Sequence, residues 1–226
     1  MRQHPLARTR LCAGLVAVLL ASGCGGSSTE SPRCPEPGSR APDPFADRVV
    51  SFQPGPSAGF GQESFPDVVL GPPWGGGASM GSLDVLSLGR EGSIVLEFTD
   101  TAVVDGPGVD LLVFENSFGT YLETGVVAVS EDGQAWHEFP CEPTAEGFPG
   151  CAGVRHVHST PDNGLSPTDP AVAGGDGFDL ATLGVARARF LRIRDSGANG
   201  YGGNSGGFDL DAVAVVNGAP ACEASP

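Results

Sequence analysis

Ser93-Ile94-Val95-Leu96-Glu97-Phe98 and Phe190-Leu191-Arg192-Ile193-Arg194 are the two stretches that decide how this chain folds. An extended backbone puts Ile94, Leu96 and Phe98 on one face against Ser93 and Glu97, and Leu191 and Ile193 opposite Arg192 and Arg194. A period of two is what a half-buried antiparallel strand requires. Working outward, further runs of strand length cover Arg48–Gln53, Val109–Glu115, Gly125–Ser130, Gln134–Phe139 and Leu210–Val216, divided by Gly, Pro, Asn and Asp. Glu131-Asp132-Gly133 reads as a hairpin turn, Gly supplying the positive φ. Only Leu180–Ala188 reads as a short helical turn, and Trp136, on a strand, is assigned to the core. With 35 glycines and 20 prolines punctuating seven or eight strands, the expectation is all-β: a single jelly-roll β-sandwich of about eight antiparallel strands with long Gly/Pro-rich loops.

The N-terminus has a different character. Arg2, Arg8 and Arg10 precede an apolar run from Leu11 to Ala21, the pattern of an export signal. The run ends in Leu20-Ala21-Ser22-Gly23-Cys24, which resembles a bacterial lipobox. Residues 1–23 are therefore expected to be a lipoprotein signal peptide cut before Cys24, whose thiol takes the lipid; ordinary secretion is the competing reading. The apolar run is about half the roughly 20 residues that a membrane span needs. Residues 24–44, rich in Gly, Ser and Pro, read as anchor and flexible linker, 45–222 as the sandwich and 223–226 as a tail. The protein is expected to be exported and held at a membrane through lipid on Cys24 only, facing the periplasm or the cell surface.

Twelve basic and 27 acidic side chains give a net charge of −15. The signal removes three arginines and no acid, so nine basic against 27 acidic side chains leave −18. There is no lysine, and the only basic run is Arg187, Arg189, Arg192 and Arg194, which excludes nucleic acid as an expected partner. Cys12 leaves with the signal and Cys24 takes the lipid. Cys34, Cys141, Cys151 and Cys222 remain as an even set for an oxidising compartment. Of three possible pairings, Cys141–Cys151 would close a Pro/Gly-rich loop and Cys34–Cys222 would staple the domain's ends.

The strongest candidate chemistry is acidic. Asp105 and Asp110 lead into the strand that ends at Glu115, and Asp209 and Asp211 open the last long strand. On an extended strand Asp209 and Asp211 share a face with Cα atoms roughly 7 Å apart. Asp105, Asp110, Glu115, Asp209 and Asp211 form a pool of oxygen ligands for structural Ca²⁺, which takes six to eight oxygens at about 2.3–2.6 Å. Capping of turns is the alternative use of such residues. Gly174-Gly175-Asp176-Gly177-Phe178-Asp179-Leu180 is echoed by Gly206-Gly207-Phe208-Asp209-Leu210-Asp211. The copies are too far apart for a calcium β-roll, but they fit two acidic loops near one another.

His156 and His158 form an H-x-H pair able to hold a transition metal if they share a strand face, which is the basis of an alternative metal-dependent hydrolase. Their surroundings read as a long loop. Gly203-Asn204-Ser205-Gly206-Gly207 looks like a serine-protease nucleophile motif but lacks the histidine context. Phosphate-loop, dinucleotide and nucleophile-elbow motifs are absent. Phe60, Phe65, Trp74, Phe118 and Tyr121 lie in loop-like sequence where rings could stack on sugars; burial is the competing use.

Ser130-Glu131-Asp132-Gly133-Gln134-Ala135-Trp136 resembles the S-x-D-G-x-x-W hairpin of discoidin-type and other galactose-binding-like jelly rolls. Gly207-Phe208-Asp209-Leu210-Asp211-Ala212-Val213 is similar to the closing strand of related carbohydrate-binding modules. The span from about Gly81 to Asn217 resembles bacterial cell-surface proteins and lipoproteins. The resemblance implies a calcium ligand at Asp211, and less directly at Asp105 and Asp110, and a terminal disulfide as in Cys34–Cys222. The insert Cys141–Gly175 departs from the pattern, so no sugar-contacting residue carries over. The expected function is a non-enzymatic, calcium-stabilised binding module for a glycan or cell-surface protein; the alternatives are the hydrolase or an adhesive surface protein.

Overall fold

A computed structural model describes residues 42–222. The signal segment, Cys24, Cys34 and the tail 223–226 lie outside the described residues. The chain from 42 onward is built of antiparallel strands: β1 (Arg48–Gln53), β2 (Leu86–Ser87), β3 (Ser93–Glu97), β4 (Thr101–Val104), β5 (Leu111–Glu115), β6 (Gly125–Ser130), β7 (His137–Glu138), β8 (Asp176–Phe178), β9 (Arg187–Ala188), β10 (Phe190–Asp195), β11 (Asp209–Val215) and β12 (Gly218–Pro220). A five-stranded sheet runs β1-β3-β10-β6-β7, a four-stranded sheet runs β2-β11-β5-β8, and β12-β4-β9 makes a small third sheet. The chain repeatedly crosses between the two large sheets, as in a jelly-roll sandwich.

The alternating stretches form the middle of the five-stranded sheet. Leu191 lies opposite Leu96 on one side and Val129 on the other, and Ile193 opposite Ile94 and Val127. These two rows are fully buried and meet Leu111, Val113, Leu210, Val213 and Val215 of the facing sheet. Each such aliphatic side chain contributes about 1.5–3 kcal/mol on leaving water. Arg192 and Arg194 point the other way.

Strands β5 and β11 do not alternate; every residue in both is buried. Their outer face carries Leu112, Phe114, Ala212 and Ala214, which pack on Val157 and Ala173 of the insert between Cys141 and Gly175. The insert is thus a third layer, and the continuous apolar run of β5 follows from burial on both faces. The Cys141–Cys151 disulfide closes the first part of that insert, with a Cα–Cα distance of 4.6 Å. Cys222 is also disulfide-bonded; its expected partner, Cys34, lies outside the described residues.

Six of the seven runs expected from the sequence correspond to β1, β3, β5, β6, β10 and β11; of the seventh, Gln134–Phe139, only His137–Glu138 is strand, as β7. The remaining five strands have only two to four residues each, too short to show a period. Asp179 caps a 3-10 turn at Leu180–Leu183 by accepting from the Ala181 N–H at 2.9 Å, and Gly184 ends it at φ 64°. Trp136 is a correction: it is half-buried, not in the core, and lies on the outer face under the Arg192 guanidinium, 4.8 Å from the ring centre. The four clustered arginines all face acids. Arg189 is buried against Glu97 at 3.0 Å, Arg187 lies 3.7 Å from Glu131, and Arg192 and Arg194 flank Glu138.

Candidate ligand-binding cleft

Because β11 runs antiparallel to β5, the start of one lies beside the end of the other. Leu210 pairs with Glu115, and the Asn116 N–H donates to the Asp209 carbonyl at 3.1 Å. Glu115 and Asp209 are thereby brought together at one end of the sandwich. Asp110 precedes the other end of β5, and at about 3.3 Å per residue the two ends stand roughly 16 Å apart. The expected acidic pool is therefore divided and cannot ligate a single ion. A bulge between Leu210 and Ala212 also breaks the two-residue repeat. Asp211 is consequently held apart from Asp209: both of its oxygens accept the Trp74 N–H, at 3.0 and 3.1 Å.

Glu115 and Asp209 line a cleft of about 540 Å³ together with Glu123, Asn116, Phe60, Phe118, Tyr121 and Tyr201. Glu115, Asp209 and Glu123 are buried at its floor, at 2%, 5% and 7% exposure. Among the described residues, Glu115 Oε2 and Asp209 Oδ1 have no hydrogen-bond partner. Glu123 Oε1 accepts the Gly207 N–H at 2.8 Å. Burial raises all three carboxyls: Glu115 well above the ordinary range, with Asp209 and Glu123 repelling it; Glu123 to about 8, with Asp209 beside it; and Asp209 to about 7, the Ser87 and Asn116 side chains beside it offsetting part of the rise.

Rings form the wall. Phe118 and Tyr121 lie 5.3 Å apart between centroids, and Tyr121 and Tyr201 lie 5.5 Å apart. Tyr121 is 57% exposed at the mouth. Gly81 sits so close to this wall that an added Cβ would come within 2.8 Å of the Phe118 ring. Trp74 is exposed elsewhere, and Phe65 packs on the core beside Phe52.

At the opposite end, carboxylate oxygens of Asp105, Asp110 and Asp179 all lie within 4.8 Å of one another. Oxygen donors at that spacing fit a hard cation such as Ca²⁺. However, Asp110 Oδ1 already accepts from the Gly106 N–H at 2.9 Å and Asn217 Nδ2 at 2.8 Å, and Oδ2 accepts from the Leu180 N–H at 2.8 Å. Asp110 thus serves the turn-capping use as well.

His156 and His158 do not converge. The His156 ring Nδ1 lies 3.0 Å from the Ser117 carbonyl, whereas His158 is exposed. Neither belongs to the carboxylate triad, the only group of three candidate ligands found among the described residues.

Glu123 and Tyr201 were not singled out from sequence. Both lie in irregular segments, Glu123 two residues before β6 and Tyr201 in a Gly-rich loop, with no motif to mark them. The two glycine-rich echoes do have a shared structural basis. They lead into β8 and β11, the strands on either side of β5, and each delivers a Phe and a Leu (Phe178 and Leu180, Phe208 and Leu210) to the main core. Gly175 and Gly207 have φ of 70° and 99°, and a Cβ on either would meet neighbouring atoms at 2.6 and 2.5 Å.

Fold and site together define an antiparallel β-sandwich with an acid-floored, aromatic-walled cleft at one end. No protein-family model matches this chain, and no curated protein sequence matches it.

Proposed function

We propose that this chain is an exported, lipid-anchored binding module that takes a glycan ligand in the cleft. The observation that supports this most is the juxtaposition of the exposed Tyr121 ring, flanked by Phe118 and Tyr201, with three acids lining the same cavity, two of which hold a buried carboxylate oxygen without a partner among the described residues. A sugar ring offers what both parts lack: C–H faces for the aromatic wall and O–H donors for the acceptor floor. Titration calorimetry against a glycan panel should give a ligand whose affinity falls at least tenfold in Tyr121→Ala. Because Tyr121 is exposed, the melting temperature should hold. Absence of binding across neutral, acidic and amino-sugar oligosaccharides at millimolar concentration would overturn the reading.

Structural calcium belongs to the same reading, at Asp105, Asp110 and Asp179. A ligand that binds only the folded state at a hundred times its Kd stabilises by about 2.7 kcal/mol. Melting in Ca²⁺ and then in EGTA should therefore differ by several degrees, and Asp105→Asn should erase the difference. The anchor is tested by mass spectrometry of the mature N-terminus, where a diacylated or triacylated Cys24 is expected.

A further inference from the structure

We infer that the cleft selects ligands bearing a protonated amine; on the glycan reading above, on which this inference rests, that is an amino sugar with its nitrogen unacetylated. Three acids line the cavity and no Arg or His does. Two of them, Glu115 and Asp209, are more than nine-tenths buried, and each holds a carboxylate oxygen without a partner among the described residues. A neutral sugar hydroxyl satisfies such an oxygen with a hydrogen bond but does nothing to favour the ionised carboxylate, which burial opposes here. An ammonium supplies up to three N–H donors and the opposite charge together. Phe60, Phe118, Tyr121 and Tyr201 surround the same space, and aromatic faces attract an organic cation through their quadrupole.

A bare divalent ion suits the cleft less well. It draws oxygens together to about twice its 2.3–2.6 Å contact distance. Among the described residues, Asp105, Asp110 and Asp179 meet that condition, whereas the cleft acids do not. The space of about 540 Å³, walled by rings, is also that of an organic ligand.

The test compares chitosan tetrasaccharide, with free amines, and its fully N-acetylated counterpart by calorimetry on the full chain in 150 mM salt. The free-amine form should bind at least tenfold more tightly. Glu115→Gln and Asp209→Asn should each abolish that preference, while Asp162→Asn, which removes an exposed acid elsewhere, should keep it. Far-UV circular dichroism and melting report whether each variant is folded, and whichever of the two cleft variants is folded carries the test. Equal binding of both saccharides overturns the amine inference and leaves the glycan reading standing. Binding of n-butylammonium but of neither saccharide, lost in Glu115→Gln, overturns the glycan reading and upholds the amine. Calcium binding at the cleft, lost in the same variant while the amines show none, overturns the inference. Absence of binding by any of these probes overturns both.

Discussion

The two ends of β5 carry acids of opposite condition. Asp110, just before the strand, is completely buried, and its carboxylate accepts three N–H donors from the 106 turn, the 180 turn and Asn217. Glu115, the strand's last residue, is almost as buried and holds an oxygen with no partner, beside Asp209 and Glu123. One end uses a buried carboxylate to pin loops; the other keeps buried carboxyls incompletely satisfied around a cavity. Asp176 and Asp195 follow Asp110: Asp176 Oδ2 accepts from the Gly153, Val154 and Arg155 amides, and Asp195 from Glu91, Gly197 and Phe208. A folded chain tolerates unsatisfied buried carboxylates where another requirement sets their position, so the difference between the ends points to a ligand at Glu115.

The largest effect expected from this contrast is on the saturated end. Asp110→Ala strands three donors, two of them backbone amides, at a fully buried site. Loss of charge-assisted hydrogen bonds together with unsatisfied groups should destabilise by about 3–5 kcal/mol in urea unfolding. A cost below about 1 kcal/mol would erase the distinction drawn between the ends.

The cleft end should show itself in pH dependence. Glu123 and Asp209 are raised to about 8 and about 7 from ordinary values of 4.5 and 3.8. The native state therefore binds more protons than the unfolded chain between those limits, and stability must fall as pH rises through the window. The groups repel one another, so their contributions do not add; Asp211, outside the cleft and raised by burial to about 8, adds to the same slope, so the cleft's share is the part lost in Glu123→Gln. A combined loss of about 2–3 kcal/mol between pH 5 and 8 corresponds to a drop in Tm of roughly 5–10 °C. The Glu123→Gln variant should flatten that slope; a wild-type Tm that is flat or rising would contradict the arrangement.

Glu115→Gln should act in the opposite direction to Asp110→Ala. It removes a carboxyl whose ionised form burial opposes and supplies an N–H among neighbours that offer acceptors, so stability at pH 8 should rise by about 1 kcal/mol. Gain of stability with loss of ligand binding is the signature of a site held in tension for function. Destabilisation by more than 1 kcal/mol would place Glu115 in the same structural class as Asp110.

These contrasts were only partly legible in the sequence. The rows built on Leu191 and Ile193 could be read because β3 and β10 are covered on one face and so keep a period of two. The convergence of Glu115 with Asp209 depends on strand pairing between residues almost a hundred positions apart, which no local pattern encodes. The separation of Asp211 from Asp209 depends on one extra residue in a ladder, a bulge that leaves the sequence looking like a regular strand. Trp136 reads as core because the run Gln134–Phe139 reads as a strand; the paired strand begins only at His137, and the ring lies beside Arg192 at the sheet's outer surface. Glu123 and Tyr201 reach the cleft from irregular loops, where side-chain direction follows from tertiary contacts alone.

The smallest expected effect gives the finest comparison, because it uses polar truncations at the two ends. Asn217 Nδ2 donates to the Val109 carbonyl at 3.1 Å and to Asp110 at 2.8 Å, so Asn217→Ala should cost about 1.5–3 kcal/mol. Ser117, two residues beyond Glu115, is buried with its hydroxyl unpartnered among the described residues. Ser117→Ala removes a desolvated group that returns no hydrogen bond, and its methyl fits the same space. Stability should change by less than about 0.5 kcal/mol in either direction. If Ser117→Ala instead costs as much as Asn217→Ala, the hydroxyl has a partner in solution, and the Glu115 end is better satisfied than its geometry shows.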